Sequence, residues 1–266
     1  MGVKALRKLQ IGREATAGTA VAATTILRLQ GATMQDDSVR VFPAEDVAIM
    51  GGTDRRYTAY YGGSVSIPEN ELTYEQFPHI LEMGVKAVGT PSADTGGSGK
   101  IYTYSLPIYS ANTPKTYTIE FGDDAGAERM TYGYCRSFKI TGKAREGLKF
   151  SAELAGRQVS PNAFTNLSAL VDVEEVLFNK GKLYIDDVSG TIGTTLVSGS
   201  LMGIDLAVET GFREIATAEG ELYFAALKQV QPEVTLNITF EHDINAIAQK
   251  AIAVSGTPKQ VRLMFG

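Results

Sequence analysis

Apolar and polar residues alternate with a period of two along much of the chain. The alternation is clearest in PEVTLNITFEH (232–242), GLKFSAEL (147–154), MGIDLAVET (202–210) and KTYTIEFG (115–122). Less regular candidates cover residues 25–33, 57–67, 101–106, 133–143, 181–187, 219–228 and 258–265. Strands with one apolar and one polar face are typical of antiparallel sheets that cover a core on one side. The pattern predicts a mainly β fold, an antiparallel β-sandwich or half-barrel.

Two helices are predicted to flank these strands. Near residues 73–87, Thr73 and Gln76 have the spacing of a capping box. The apolar stripe of this helix consists of Phe77, Ile80, Leu81 and Met83. About residues 243–253, a second stripe follows Asp243 and consists of Ile244, Ile247, Ala248 and Ala251. Apolar stripes at this spacing are typical of helices that face a core.

Between these elements the chain has three clear loops, at residues 89–100, 122–128 and 188–200. The segment 33–56 shows neither the strand period nor the helix period. It is long for an irregular connection, and long irregular segments more often have a function than not. Each predicted helix lies between two strands, which leaves open an internal pseudo-repeat of about 31–165 and 166–266 within one β-domain spanning 31–266.

Composition and charge exclude several classes of protein. The 266 residues carry a net charge of -5, from 30 acidic and 25 basic residues, without a basic tail or stripe. A protein that grips DNA by its phosphates needs clustered Lys and Arg. The single cysteine, Cys135, permits no intrachain disulfide. We see no export signal and no apolar run of the roughly 20 residues needed to span a bilayer, and we expect synthesis in a reducing cytoplasm and no membrane partner.

The usual signatures of catalysis and metal binding are missing. His79 and His242 are the two histidines, and no G-x-S-x-G elbow accompanies them. The stretch GGSGK (96–100) lacks the first glycine and the Ser or Thr of a phosphate-binding loop. The acidic pairs Asp123–Asp124 and Asp186–Asp187 do not follow the calcium-loop pattern. We expect no enzyme activity, no catalytic residues, no metal and no cofactor.

The stretch GREATAGTAVAATTILRL (12–29) resembles the N-terminal signature of bacteriophage tail tube proteins, the major tail proteins of long-tailed phages. The matching residues are Glu14, Thr16, Gly18, Thr19, Ala20 and Val21. Ala15 and Ala17 stand where many relatives have Thr or a larger residue. The segments YTAYYGGSVSIPENELTYEQFPHILEMGVKAV (57–88) and LMGIDLAVETGFRE (201–214) extend a looser similarity over about half of the chain.

This resemblance implies a structural protein that assembles with itself into rings, which stack into the tube through which phage DNA is ejected. One sheet of each subunit would join its neighbours in a ring barrel, as a hexamer or as a trimer of a duplicated subunit; we expect hexamers. Residues 1–30, with the six matching residues, would be a flexible arm that orders on a neighbouring subunit. The partners would be tail terminator, baseplate or tip and tape-measure proteins, in a virion assembled in the bacterial cytoplasm.

In such a tube the polar strand faces would line the lumen. Glu153, Asp205, Glu209 and Glu241 are the candidate lumen-facing residues. DNA would pass transiently and without sequence preference, because an acidic or neutral wall repels its phosphates.

Three alternatives remain open at this point. Another ring protein, such as a baseplate or head–tail connector subunit, would form single rings. A glycan-binding β-sandwich would need aromatic pockets, for which the 12 tyrosines are available. A β-sandwich hydrolase would need two carboxylates in one cleft, for which Glu174–Glu175 is a candidate pair.

Overall fold

The computed structural model describes residues 2–48, 50–51, 55–93, 96–97, 99–107, 109–167, 169–218 and 220–266. The structure is 44% strand and 10% helix, with antiparallel sheets that do not close. The predicted fold class is therefore confirmed. Parts of four predicted segments lie outside the described residues: 1 of the arm 1–30, 49 and 52–54 of segment 33–56, 94, 95 and 98 of loop 89–100, and 219 at the start of strand 219–228.

Nineteen strands and two α-helices make up the described structure. The strands are β1 Lys8–Arg13, β2 Thr25–Leu27, β3 Thr33–Asp36, β4 Val39–Val41, β5 Tyr57–Tyr60, β6 Gly63–Glu71, β7 Ser92–Ala93, β8 Lys100–Ile101, β9 Tyr117–Gly122, β10 Ala127–Lys143, β11 Lys149–Gly156, β12 Val159–Asn162, β13 Lys182–Asp187, β14 Leu196–Val197, β15 Leu201–Glu209, β16 Phe212–Ile215, β17 Ala226–Gln229, β18 Glu233–Phe240 and β19 Lys259–Met264. The helices are α1 Phe77–Gly84 and α2 Ile244–Ser255, with short 3-10 turns at Lys4–Leu6 and Phe178–Lys180.

The long strand β10 belongs to two sheets. Its first part pairs with β9 and β12 and, through β9, joins β1 and β2 in sheet 1, of order β2-β1-β9-β10-β12. Its second part pairs with β11 and β15 in sheet 2, of order β3-β6-β11-β10-β15-β18. The change occurs where the β9–β10 register shifts between Met130 and Gly133. Tyr132, within this bulge, has a φ of 57°, a value uncommon for a residue with a side chain.

Helix α1 packs against the core that the two sheets share. The ring of Phe77 meets those of Phe138 and Phe150 edge-on, at centroid distances of 5.7 and 5.5 Å. Ile80 and Met83 are fully buried, which confirms the predicted apolar stripe. The capping box is wrong: α1 begins at Phe77, and the Gln76 side chain accepts the Arg28 backbone N–H at 3.2 Å. A tertiary hydrogen bond has replaced the local one.

Within the expected flexible arm, residues 1–30, the structure has two strands, β1 at Lys8–Arg13 and β2 at Thr25–Leu27. Strand β1 lies between β2 and β9, and Leu9 and Ile11 are buried. The small residues that suggested flexibility instead permit close packing. A Cβ atom on Gly12 would lie 2.4 Å from the carbonyl oxygen of Ala22, well inside van der Waals contact.

Helix α2 confirms the second predicted helix but not the expected burial of its stripe. Asp243 caps the helix by accepting the Ala246 N–H at 2.9 Å, and Gly256 ends it with a φ of 66°. No described residue of α2 is buried. The apolar stripe faces solvent, because the half-buried side of the helix is the opposite one.

Smaller antiparallel units surround the two sheets. They are β14-β13-β19, β16-β17, β4-β5 and β7-β8. The predicted strands 101–106 and 219–228 shrink to Lys100–Ile101 and Ala226–Gln229. Sheet 2 takes four strands from residues 31–165 and two from residues 166–266, and the pseudo-repeat stays a prediction.

Candidate functional site

Sheet 2 presents a continuous polar face. Three of the four candidate lumen residues, Glu153, Asp205 and Glu209, lie on it. They come from adjacent regions of β11 and β15, on either side of β10, because the side-chain period of two directs alternate residues to one face. Glu153 and Glu209 are exposed, and both pair in register with Ser137. The sheet therefore brings together carboxylates that lie more than fifty residues apart in sequence.

One row of this face crosses all six strands. From edge to edge it consists of Thr33, Ser66, Glu153, Ser137, Glu209 and Glu233. Sequence reasoning did not select Glu233, although its place in the alternation of β18 could have done so. Glu209 and Glu233 are directly opposite each other, and like charges in that relationship destabilise a sheet.

Acidic side chains outnumber basic ones on the polar face. The acidic positions are Glu69, Glu71, Glu153, Asp205, Glu209 and Glu233, and the basic ones are Lys139, Lys143 and Lys149. Lys139 forms an ion pair with Asp205 at 2.7 Å, and Lys149 lies 4.0 Å from Glu69. Glu153 accepts a hydrogen bond from the Ser66 hydroxyl at 2.6 Å. These ion pairs do not include Glu209 and Glu233, which form an acidic pair next to the β18 edge.

Glu241 does not belong to this row. It follows the end of β18, where its backbone N–H donates to the Ser200 carbonyl at 2.8 Å. It lies three residues before the start of α2, in the short connection that follows the last strand of sheet 2.

Both edges of sheet 2 are free in the described part of the chain. Strand β3 pairs with β6 alone, and β18 pairs with β15 alone. Unpaired N–H and C=O groups at such an edge are able to pair with another chain. Every neighbouring pair within sheet 2 is antiparallel, so the two edge strands run in opposite directions.

The Glu14 carboxylate of the N-terminal motif is buried and holds this fold together. Its Oε2 atom accepts from the Gly18 N–H and the Thr116 hydroxyl, both at 2.7 Å. Its Oε1 atom accepts from the Thr118 hydroxyl at 3.0 Å and the Tyr132 N–H at 2.9 Å. A buried carboxylate is tolerated when its lone pairs are all used. The motif residue therefore acts within its own chain.

The remaining motif residues lie in the turn that this carboxylate anchors. Gly18 has a φ of 81°, and the Thr19 N–H donates to the Thr16 carbonyl at 3.0 Å. The Val21 N–H donates to the Thr118 hydroxyl at 3.0 Å. Ala20, like Thr16 and Thr19, is exposed. The turn is therefore ordered by hydrogen bonds within its own chain.

His79 belongs to a polar cluster under α1. Its Nδ1 lies 3.1 Å from the Tyr117 hydroxyl, which donates to Glu82 at 2.5 Å, while Arg13 pairs with Glu82 at 2.9 Å. Burial lowers the pKa of His79, with Glu82 opposing and Arg13 reinforcing the shift. Burial and the Glu82 hydrogen bond raise the pKa of Tyr117 far above its usual value. The cluster joins α1 to β1 and β9, as expected of a structural histidine.

The acidic loop at Asp186 is satisfied by its own backbone. The carboxylate accepts from the N–H groups of Gly193 and Thr195, both at 2.7 Å, and from the Thr194 hydroxyl at 2.7 Å. These donors, the Thr194 hydroxyl first, hold the pKa of Asp186 well below its usual range. Within the described ranges, no group of three or more His, Cys, Asp or Glu residues is arranged to hold a metal ion.

An apolar groove of about 530 Å³ lies between α1 and the apolar face of sheet 2. Phe77 and Leu81 of α1 form one wall, and Ile140 and Leu206 form the floor. Leu263 of β19 also lines it, so the chain that follows α2 returns over the apolar face of the sheet.

Among the described residues, none of the helices is long and apolar enough to cross a membrane. The chain matches no protein-family model and no curated protein sequence in the comparisons with known proteins. Its function is therefore inferred from the fold and from the surfaces described above.

Proposed function

We propose that this chain is a structural virion protein, the subunit of a bacteriophage tail tube, which assembles with itself into stacked rings around a channel for DNA. One observation carries the proposal: among the described residues both edge strands of sheet 2 lack an outer partner, and a polar, acid-rich row runs from one edge to the other. Pairing of the edges between copies would remove the unpaired backbone groups.

The strand count of sheet 2 suits ring closure. Six alternating strands leave β3 and β18 antiparallel to each other. Copies related by rotation about a ring axis keep the same orientation, so β18 of one copy would meet β3 of the next as an antiparallel pair. Overlap of these two strands along their length would place the C-terminal end of β18 beside the N-terminal end of β3. With strands about 4.8 Å apart, the acid-rich face would recur at every subunit around the ring.

The charge of this face fits a conduit. DNA carries one phosphate charge per roughly 1.7 Å of axis, so a basic lumen would hold it back. An acid-rich wall repels the phosphates weakly, over a Debye length of about 8 Å at physiological salt. The opposition of Glu209 and Glu233 costs the monomer stability, which is understandable if the row serves the assembled tube.

Glycan binding has less support. The apolar groove includes Tyr74, Tyr102 and Tyr104, but half of its lining is Leu, Ile or Val, whereas a sugar site needs several convergent hydrogen-bonding groups. A hydrolase role also has less support: Glu174 and Glu175 are consecutive and both exposed, and Glu174 lies 4.0 Å from Lys180.

Negative-stain electron microscopy of the purified protein over a concentration series tests the proposal. We expect hollow tubes of uniform diameter with a regular axial repeat, and the rotational symmetry of end views distinguishes hexamers from trimers. Single rings that never stack would favour a connector or baseplate subunit. A protein that stays monomeric at every concentration would contradict self-assembly.

A further inference from the structure

The apolar stripe of α2 is a second surface that the chain leaves uncovered. Ile244 is 80% exposed, Ile247 57% and Val254 81%. Ala248 and Ala251 complete the stripe and are also exposed. The opposite side of the helix, including Asn245, Gln249 and Ile252, is half-buried on its own chain.

This helix is held at the end of sheet 2 where β15 begins and β18 ends. Its cap residue Asp243 accepts the Ser200 hydroxyl at 2.5 Å, and Asn245 donates to the same hydroxyl at 2.8 Å. Ser200 directly precedes β15, the strand that pairs with β18. The exposed stripe is therefore held next to the C-terminal end of β18.

In the proposed ring, β18 of one copy pairs antiparallel with β3 of the next. The direction of these strands determines which residues lie opposite the C-terminal end of β18. The C-terminal end of β18 in one copy would lie beside the N-terminal end of β3 in the next. The residues that lead into β3, from Leu29 to Ala32, would therefore face α2 of the neighbour.

A cavity of about 540 Å³ occurs at that place. Its apolar lining includes Leu9, Leu29, Ala32 and Phe121. Lys4 and Arg7, which are exposed, form part of its rim. On the other side of the contact, the exposed Glu241 precedes α2 and is opposite in charge to Lys4 and Arg7.

We infer that the occupant of this cavity is α2 of a second copy of the chain, which inserts the Ile244–Val254 stripe as the adjacent sheet edges pair. The inference rests on the proposed ring assembly and adds its second contact. Such a contact is heterologous, because two different surfaces of the same chain meet, and heterologous contacts generate rings or filaments. It also gives Glu241 a place at the subunit boundary rather than in the lumen.

Cross-linking between two variants that each carry one added cysteine tests the contact directly. Ile247→Cys and Gln30→Cys proteins are mixed, treated with a short bis-maleimide and analysed by mass spectrometry. Gln30 is exposed and lines the cavity. The native Cys135 is buried and its pKa is raised by that burial, so it reacts poorly. We expect a 247–30 link between chains, and at least about fivefold less product from the control pair Ala253→Cys and Gln30→Cys, since Ala253 faces away from the stripe.

A matched pair of charge substitutions supplies the second measurement. Ile247→Glu should raise the concentration needed for assembly at least about tenfold, as expected for an apolar residue at the centre of an interface. Ala253→Glu adds the same charge to the same helix off the stripe and should assemble like the parent chain. Equal thermal melting of the two variants excludes a folding defect.

Different results would overturn the α2 contact and the proposed tube function. Rings or tubes that form without a 247–30 link, and that tolerate Ile247→Glu, would overturn the α2 contact while leaving the tube function in place. Equal linking from positions 247 and 253 would overturn the stripe as the contact surface. Monomers without any link at all concentrations would overturn both.

Discussion

The Oε1 atom of Glu14 accepts the backbone N–H of Tyr132 at 2.9 Å, and this hydrogen bond joins the turn after β1 to the bulge of β10. Tyr132 has a positive φ in that bulge, so its N–H is lost to the β9 ladder. The carboxylate supplies the missing acceptor. Glu14 therefore stabilises the point at which one strand leaves sheet 1 and enters sheet 2.

Substitution of Glu14 by Gln should lower the free energy of unfolding by about 2–4 kcal/mol, since hydrogen bonds to charged groups contribute about 1.5–3 kcal/mol each and are not additive. The N–H groups of the Gln amide would face hydrogen-bond donors that the Glu14 carboxylate accepts in the parent chain. Urea denaturation measures the loss. Glu128→Gln, on the exposed side of β10, is the control and should change stability little. Equal stability of the two variants would show that the Glu14 network is dispensable.

A side chain at position 18 is disfavoured both by the backbone conformation and by the lack of space for a Cβ atom. Its φ of 81° disfavours a side chain, and a Cβ atom would lie 2.4 Å from Nη1 of Arg157. The Arg157 guanidinium is held by the carbonyls of Phe224 and Ala225 at 3.1 and 3.0 Å. Gly18→Ala should cost about 1–2 kcal/mol for the left-handed backbone alone. Gly89→Ala, which meets nothing within 4 Å, should be neutral in the same thermal melts.

Much of the architecture is predictable from local pattern. The alternation in residues 234–240 and 148–154 reports the faces of β18 and β11, and it places Glu153 on a polar face without any knowledge of the sheet. The order of the strands within the sheet, in contrast, cannot be predicted from local pattern. That β11 and β15 flank β10, and so align Glu153 with Glu209, depends on contacts between distant segments that no local period encodes.

The N-terminal segment shows the limit of composition as a guide. Small residues at positions 12–24 are typical of flexible chain, but they are equally typical of close backbone approach, as at Gly12. The decisive feature is one charged residue, Glu14, whose four donors come from Gly18, Thr116, Thr118 and Tyr132. Three of these lie about a hundred residues away, and the sequence gives no sign of the meeting.

His79 should make stability depend on pH. Its pKa is lowered in the folded chain, while the unfolded value is about 6.5. Below that value the unfolded state takes up a proton more readily, so the histidine's contribution is complete above about pH 6.5 and is lost as the pH falls. His79→Gln should show a smaller loss of unfolding free energy between pH 7.5 and 5.5 than the parent chain. His242→Gln, at an exposed position, should retain the parent's dependence; identical slopes for all three proteins would contradict the assignment.

The opposed pair Glu209 and Glu233 should be a site of stabilisation. Removing one of two like charges that face each other across strands is worth about 0.2–1 kcal/mol. Glu233→Gln should therefore raise the melting temperature of the monomer at low salt, and the gain should shrink at high salt as screening removes the repulsion. Glu128→Gln serves again as the control. A decrease in stability would mean that the carboxylate of Glu233 has a favourable partner.

Under the proposed tube function, the acidic row also predicts how mutant virions behave. Replacing Glu153, Glu209 and Glu233 together by Lys would turn the row basic, and each released counterion would add to the affinity for DNA phosphates. We expect such tubes to assemble, because these side chains lie on the face away from the core, but we expect DNA ejection to slow or stall. The measurement is the fraction of triggered particles that release their DNA, with assembly checked by electron microscopy. A control carries Glu128→Lys, Glu174→Lys and Glu221→Lys, three exposed positions away from the row. If the row variant ejects DNA as fast as this control, the polar face of sheet 2 does not line the channel.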